Sequence, residues 1–260
     1  MSRLDCFPLS YNGNKYQETK KHLATRFPTY KTYDIICEPF CGIFGFSRAF
    51  FESNIDFKGE FWLNDINMDL INLYKELLLD PLKWITNVET ELAKYTEDRA
   101  LSDDKNKSYS MTLLSRGMNI RQCSYQKAVR KIIRFKEKIE LYKPMFAKIK
   151  LFNLDCIKFL ELIKNKKKED KKIFTYFDPP YFNSSTDQYQ SMIKPDKDGY
   201  NDGTYIYIDI FNWFKDHKDN TMIINKIDIL NYLFTKWIDI NYGGIYQGTK
   251  NVKKHIVYSN

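Results

Sequence analysis

This sequence lacks long apolar runs and paired cysteines, and it contains few histidines. No stretch of about 18 apolar residues, the length that a membrane-spanning helix requires, occurs in the chain. The N-terminus also lacks the apolar run of a secretory signal peptide. Five cysteines without paired Cys-x-x-Cys sets, and three histidines, favour neither a disulfide scaffold nor a metal site. We therefore expect a soluble protein of one large domain, or one domain with an insertion.

Positive charge is concentrated in one part of the chain. Residues 104–172 contain 20 Lys and Arg against 7 Asp and Glu, a net charge of +13, whereas the whole chain carries +8. A cationic face of this kind fits a partner rich in phosphate, because neutralising phosphates releases their condensed counterions. Many of these lysines alternate with apolar residues, so the same charges also fit the solvated face of a helix. Charge therefore favours nucleic acid and leaves an ordinary surface as the alternative.

An apolar strand followed by a polar motif is the first candidate for a functional site. Ile173 to Phe177 is a short apolar, aromatic and β-branched run that two prolines stop, which predicts a buried strand. The residues that follow are Asp178-Pro179-Pro180-Tyr181. A carboxylate beside carbonyls whose nitrogens carry no hydrogen suits an amino group, and the tyrosine offers a flat face for a heterocycle. A solvated Asp in a Pro-Pro turn is the plainer alternative.

Two further strand ends carry residues that are typical of a nucleotide-binding α/β fold. A β-like run over 33–37 leads into a turn with Gly42, where the absence of Cβ lets the backbone approach a ligand. A second strand over 60–64 is followed by Asp65, at the position where such folds place the acid that receives ribose hydroxyls. Asp65 could equally cap the helix predicted over 68–79, and the two roles can coexist.

Four motifs, taken in order, resemble those of Dam-type DNA N6-adenine methyltransferases, which use S-adenosylmethionine. They are Tyr11-Asn12-Gly13-Asn14-Lys15, Glu38-Pro39-Phe40-Cys41-Gly42, Leu63 to Ile71 and Asp178-Pro179-Pro180-Tyr181. Met222 to Asn225 resembles the strand before the family's last helix, and 248–260 resembles its closing hairpin. The resemblance implies an α/β protein, with the Rossmann-like methyltransferase fold and its mixed seven-stranded sheet. It also implies a compact, phage- or virus-like member of the family.

The resemblance also implies roles for individual residues. The cofactor-binding residues that it implies are Tyr11, Lys15, Phe40, Gly42, Asp65, Ile66, Asp155, Cys156 and Asp178. The glycine-bearing turn would line the methionine part of S-adenosylmethionine, and Asp65 would accept from its ribose. Ile66 and Cys156 would pack against its adenine ring, near Asp155. A helix N-cap is the alternative role of Asp155.

One turn departs from the family pattern. The family's usual turn has a second glycine where this chain has Phe44, and Gly45 follows one position later. The Phe44 ring could pack against the methionine moiety or against the helix. We expect this change to affect the affinity for the cofactor more than any other property.

The middle of the chain resembles the family least. By resemblance, residues 80–148 form a helical target-recognition insertion with a base-reading hairpin, while 1–79 and 149–260 form the catalytic domain. Helical patterns on both sides leave only 108–122 for that hairpin. The candidate DNA-contacting residues are Lys15, Arg116, Asn119 and Arg121. Arginine can bind guanine or phosphate bidentately, although ordinary surface arginines are an equal alternative.

The function that the resemblance implies is site-specific transfer of a methyl group from S-adenosylmethionine to N6 of adenine in DNA. Asp178 and the Pro179 carbonyl would accept the amine N–H groups of an adenine that is flipped out of the duplex and stacked on Tyr181. Two alternatives are a methyltransferase acting on another amine, such as RNA adenine or cytosine N4, and a non-catalytic DNA-binding subunit. We expect a monomer or weak dimer, or a protein that needs a partner subunit. We expect it in the cytoplasm, or inside the host cell for a phage or viral protein.

Overall fold

The structure is a computed structural model. It describes residues 4–10, 14–20, 32–95, 107–115, 125–167, 169–179, 209–210, 212–213, 216, 221–226, 242–247 and 254–259. Its elements within this part of the chain are α1 Tyr16–Glu18, β1 Ile35–Glu38, α2 Gly45–Ser53, β2 Glu60–Asn64, α3 Met68–Leu79, α4 Pro81–Leu92, α5 Tyr109–Ser115, α6 Tyr125–Glu137, α7 Ile139–Phe146, β3 Ile149–Phe152, α8 Cys156–Lys167, β4 Ile173–Phe177, β5 Thr221–Lys226, β6 Tyr242–Gln247 and β7 Lys254–Ser259. None of the helices described is long and apolar enough to cross a membrane.

A mixed sheet organises the strands, and the predicted α/β class is confirmed. The strand order is β3-β2-β1-β4-β5-β7-β6. β1 is parallel to β2 and β4, β4 is parallel to β5, and β7 is antiparallel to β5 and β6. The strand order reverses between β1 and β4, because the chain adds β2 and β3 on one side of β1 before β4 forms on the other. In such sheets, ligands bind outside the carboxyl ends of the strands at this switch point.

The chain forms two compact units, and the second holds most of the sheet. It comprises residues 28–41, 58–67 and 152–260. Within it, β1 and β4 are buried along their whole length, as is typical of parallel strands rich in apolar residues. Phe159 and Ile163 of α8 belong to the same buried cluster as Trp62 of β2 and Phe177 of β4. This packing holds α8 against one face of the sheet.

The first unit is mainly helical. It comprises residues 1–27, 42–57 and 68–151. Its core is aromatic: the ring centroid of Phe7 lies 4.9 Å from that of Phe44, 5.7 Å from that of Phe135 and 6.1 Å from that of Tyr142. All four residues are buried. These rings tie the N-terminal segment to the start of α2 and to helices α6 and α7.

Helix α5 corrects one expectation of the sequence. The range 108–122, which the helical patterns leave for a base-reading hairpin, begins with the helix Tyr109–Ser115. The cause is local: Oγ of Ser108 accepts a hydrogen bond from the backbone N–H of Met111 at 3.2 Å and so caps the helix. Met111 and Leu114 then lie one turn apart and are both buried. Residues 116–122 fall outside the part of the chain that the structure describes.

Candidate active site

Acidic residues stand at the ends of three neighbouring parallel strands in the second unit. β1 ends at Glu38, Asp65 follows β2, and Asp178 follows β4. The strand registers set Glu38 opposite Leu63, and the residue before Glu38 opposite Thr175. The three strand ends therefore reach the same edge of the sheet, at its switch point. This carboxyl edge is the candidate active site.

Asn64, the last residue of β2, links the loops at this edge. Its Nδ2 donates to the carbonyl of Pro39 and to the carbonyl of Leu154, both at 3.0 Å. Its Oδ1 accepts from the N–H of Leu154 at 2.9 Å, and its backbone carbonyl accepts from the N–H of Cys41 at 2.8 Å. The side chain is buried with both of its polar atoms bonded. Sequence reasoning did not select Asn64; the available signal was a polar residue closing an apolar strand.

A second asparagine, Asn153, holds the loop that follows β2. Its Nδ2 donates to the carbonyl of Asp65 at 2.8 Å and to that of Ile66 at 3.0 Å. Oδ1 of Asp65 accepts from the N–H of Asn67 at 3.0 Å, which orients the carboxylate within a tight turn. Ile66 remains 53% exposed. The loop thus presents a carboxylate and an uncovered apolar side chain next to each other.

Asp155 has the capping role that was its alternative. Oδ1 of Asp155 accepts from the N–H of Ile157 at 2.8 Å, and its carbonyl accepts from the N–H of Phe159 at 3.0 Å, so it caps α8. Cys156, the first residue of α8, is buried. Burial raises the pKa of the Cys156 thiol, and the carboxylates of Asp155 and Asp209 raise it further. Cys156 therefore acts as a neutral packing group.

Asp178 and Pro179 continue directly from β4. Asp178 is half-buried and Pro179 is buried. Phe40, from the loop after β1, is also half-buried and packs against the apolar cluster beneath the sheet edge, with its ring centroid 6.5 Å from that of Phe177. A partly shielded carboxylate and an aromatic ring therefore belong to adjacent strand ends.

The carboxyl edge has a negative electrostatic character. Burial raises the pKa of the Cys41 thiol well above its ordinary value, and the carboxylates of Asp65 and Glu38 raise it further. Their effect on Cys41 means that both carboxylates lie close to the loop after β1. Glu38 is itself buried. A site with these charges favours a cationic group over an anionic one.

The turn of the first unit shows how Phe44 is accommodated. Gly42 and Phe44 both have positive φ, 46° and 40°. The Phe44 backbone therefore adopts the left-handed conformation that a glycine would adopt freely. Its ring is buried, with its centroid 5.1 Å from that of Tyr74, whose hydroxyl donates to the Gly42 carbonyl at 2.6 Å. The sequence left two positions open for the Phe44 ring, against the methionine moiety or against the helix. In the structure the ring packs against the helix.

At Gly45 the backbone of α2 approaches the N-terminal segment closely. A methyl group on its Cα would lie 2.6 Å from Oδ1 of Asn14 and 2.7 Å from the backbone nitrogen of Tyr16. The same Asn14 oxygen accepts from the N–H of Tyr16 at 3.1 Å and from the guanidinium of the buried Arg48 at 3.4 Å. The segment that carries Lys15 is thereby held against the start of α2, and Lys15 is itself buried.

The remaining candidate residues lie outside the described part of the chain. They are Tyr11, Arg116, Asn119, Arg121, Pro180 and Tyr181. The described candidates divide between the units. Those of the second unit gather at the carboxyl edge, whereas Lys15 and Gly42 belong to the first.

One comparison with known proteins identifies the family. The model of the D12 class N6 adenine-specific DNA methyltransferase family matches residues 11–253. The chain belongs to this family. The expectation from the motifs is thus confirmed, and the chain is a DNA N6-adenine methyltransferase that takes its methyl group from S-adenosylmethionine and acts on specific sites. No curated protein matches the chain.

The residues at the carboxyl edge of this D12-class methyltransferase fit S-adenosylmethionine. The cofactor combines a positively charged sulfonium, a ribose diol and a flat adenine. The Asp65 carboxylate can accept hydroxyl hydrogens, and the exposed Ile66 next to it can cover an aromatic ring. The carboxylates of Glu38 and Asp65 suit the positive charge.

Proposed function

We propose that methyl transfer takes place beside Asp178 and Pro179, and that the catalytic motif is Asp178-Pro179-Pro180-Tyr181. The observation that carries this proposal is the position of the motif. It follows directly on β4, the neighbour of β1 at the point where the strand order reverses. Asp178 is only half-exposed there, and hydrogen bonds to a carboxylate strengthen when water is partly excluded.

Methyl transfer to the adenine amine requires hydrogen-bond acceptors rather than a strong base. S-adenosylmethionine, when bound, supplies an electrophilic methyl group on a positively charged sulfur. The exocyclic amine of adenine is a weak nucleophile because its lone pair is delocalised into the ring. Asp178 and the Pro179 carbonyl each accept one N–H, which favours a tetrahedral nitrogen and aims its lone pair. Asp178 therefore acts by orientation and electrostatics, and it need not remove a proton beforehand. The N–C bond would form as the S–C bond breaks, and the methylated nitrogen would then release its extra proton to solvent.

The loops of the carboxyl edge hold the cofactor in this proposal. Asp65 accepts from the ribose, Ile66 packs on the adenine ring, and Phe40 lines the methionine part. Asp155 and Cys156 complete the adenine side, with Asp155 also capping α8. By resemblance to the family, Tyr11, Lys15 and Gly42 are further cofactor-binding candidates. Asp178, as the acid of the catalytic motif, borders both the cofactor and the target amine.

DNA recognition is assigned to the helical middle of the chain. Residues 80–148 act as the target-recognition insertion, and 1–79 with 149–260 act as the catalytic domain, built on a Rossmann-like sheet of seven strands. The candidate DNA contacts are Arg116, Asn119 and Arg121; Lys15, also a candidate, is buried and fits the cofactor side better. The target adenine is flipped out of the duplex and stacks on Tyr181, because its N6 cannot be approached in line within the stack. The enzyme acts as a monomer or weak dimer, and restriction–modification is a role that fits it.

Substitution of Asp178 tests this assignment. Asp178→Ala should lower methyl transfer into DNA by about a thousandfold or more, the cost of removing a main electrostatic contact to the reacting group. Calorimetry should still show S-adenosylmethionine binding, because all the other proposed cofactor-binding residues are unchanged. Glu76→Ala, which removes an exposed carboxylate of α3, is the control. Near-normal turnover of Asp178→Ala would refute the assignment.

A further inference from the structure

The cations of helix α6 fall into two groups, and the first is already occupied within the protein. Nζ of Lys131 donates to Oγ of Ser10 at 3.0 Å and to the carbonyl of Leu114 at 3.1 Å. Nζ of Lys136 lies 2.9 Å from a carboxylate oxygen of Glu89. These two lysines therefore have structural contacts that account for their presence.

The second group forms no ion pair with the described residues. Lys127, Arg130 and Arg134 are exposed, and no carboxylate of the described residues lies within ion-pairing distance of them. The Arg130 side chain donates through Nε to the carbonyl of Gln126, one turn earlier, which lays it along the helix. Spacings of three and four place the three cations on one face, and Lys127 and Arg134 are separated by about 10 Å along the axis.

Three like charges on one helical face repel one another and weaken the helix, and the single carboxylate on this face, Glu137, can offset only one of them. Buried Ala128, Ile132 and Phe135 hold the opposite face of α6 in the core of the first unit, so the cationic face cannot turn inward. The face is therefore presented permanently to solvent.

We propose that this face of α6 binds the phosphate backbone of the substrate DNA. The inference rests on DNA being the substrate and adds a surface to the residues already assigned. Phosphates are the partner that the charges favour, because each cation that neutralises one releases condensed counterions, and two of the three side chains are arginines, which can bind phosphate bidentately. α6 also begins at Tyr125, only four positions after the candidate DNA-contacting residue Arg121. Phosphate contacts of this kind position the duplex without reading its sequence.

Salt dependence of DNA binding tests the proposal. The triple variant Lys127→Gln, Arg130→Gln and Arg134→Gln should bind a fluorescent duplex of mixed sequence more weakly at every salt concentration. Each lost contact should cost up to about eightfold near 0.1 M salt, and the slope of log affinity against log salt should become shallower by about 2.7. The matched control, Lys75→Gln, Lys83→Gln and Lys164→Gln, removes the same charge from exposed lysines elsewhere and should keep the wild-type slope.

Two readouts separate this face from the catalytic proposal. S-adenosylmethionine affinity and turnover at saturating DNA should be unchanged in the α6 triple variant, whereas Asp178→Ala should lose turnover and keep the wild-type salt slope. The phosphate-binding role of α6 would be refuted if the triple variant kept the wild-type slope of log affinity against log salt, or if the control variant lost as much binding. Either result would leave the catalytic proposal untouched. A wild-type protein that bound no duplex at low salt would overturn the face together with the DNA contacts assigned above. A thermal unfolding temperature of the α6 variant at or above that of the wild type excludes a folding defect as the cause.

Discussion

The side-chain amide of Asn64 and the backbone of Leu154 form a reciprocal pair of hydrogen bonds, with Nδ2 to carbonyl at 3.0 Å and N–H to Oδ1 at 2.9 Å. The pair acts like one more rung of the sheet beyond the end of β2. With the further bond from Nδ2 to the Pro39 carbonyl, a single buried side chain spans the loops after β1 and β3. Those loops carry Phe40 and Asp155, so Asn64 positions two of the cofactor-binding candidates.

Removal of the Asn64 amide should weaken cofactor binding more than catalysis. Asn64→Ala leaves buried groups of Leu154 and Pro39 unsatisfied and should lower the free energy of unfolding by about 3 kcal/mol. Where the variant is folded, the KM for S-adenosylmethionine should rise severalfold while kcat changes less. Urea unfolding and steady-state kinetics measure the two effects. Asn72→Ala, at an exposed position of α3, is the matched control. A variant with wild-type KM and stability would show that the amide does not position these loops.

Restoring a glycine at Phe44 should destabilise the protein although it relieves backbone strain. Strain at the left-handed residue amounts to about 1–3 kcal/mol. Loss of the buried ring, which contacts Phe7 and Tyr74, costs about 3–5 kcal/mol and therefore exceeds the relief. Phe44→Gly should lower the free energy of unfolding by about 2 kcal/mol. Denaturant titration measures it, and a glycine variant at least as stable as the wild type would mean that strain outweighs packing here.

Stability should fall in alkaline solution partly because of Cys156. Burial raises the folded pKa of its thiol above the ordinary value near 9, so the unfolded chain loses this proton first. The stabilising contribution is therefore complete below about pH 9 and is lost as pH rises, by about 1.4 kcal/mol per pH unit. Urea unfolding between about pH 8 and pH 10 should show a shallower decline for Cys156→Ala than for the wild type. The cavity left by Cys156→Ala lowers stability equally at every pH. If the stability of the variant and of the wild type fell in parallel as pH rises, the buried thiol would therefore not be held in its protonated form.

Local patterns predicted several elements closely. The apolar run of Ile173 to Phe177 has the same bounds as β4, and the helix predicted over 68–79 matches α3. Both segments carry their own periodicity and their own end signals, so neighbouring residues suffice to predict them. Helix α5 was not predicted from the sequence because it is only two turns long. A helix of that length contains too few apolar positions to show a helical period.

Residue order alone established the family, through motifs whose members are close in the chain, and with it the methyl donor and the target atom. Folding decided which side chains support those motifs. The partners of Asn64 stand 25 and 90 positions away, and the direction of the Phe44 ring depends on Phe7 and Tyr74. Contacts between distant segments leave no periodic trace in the sequence, because they arise only when the elements pack. The motifs therefore specify the chemistry, and tertiary packing specifies the supports that hold it in place.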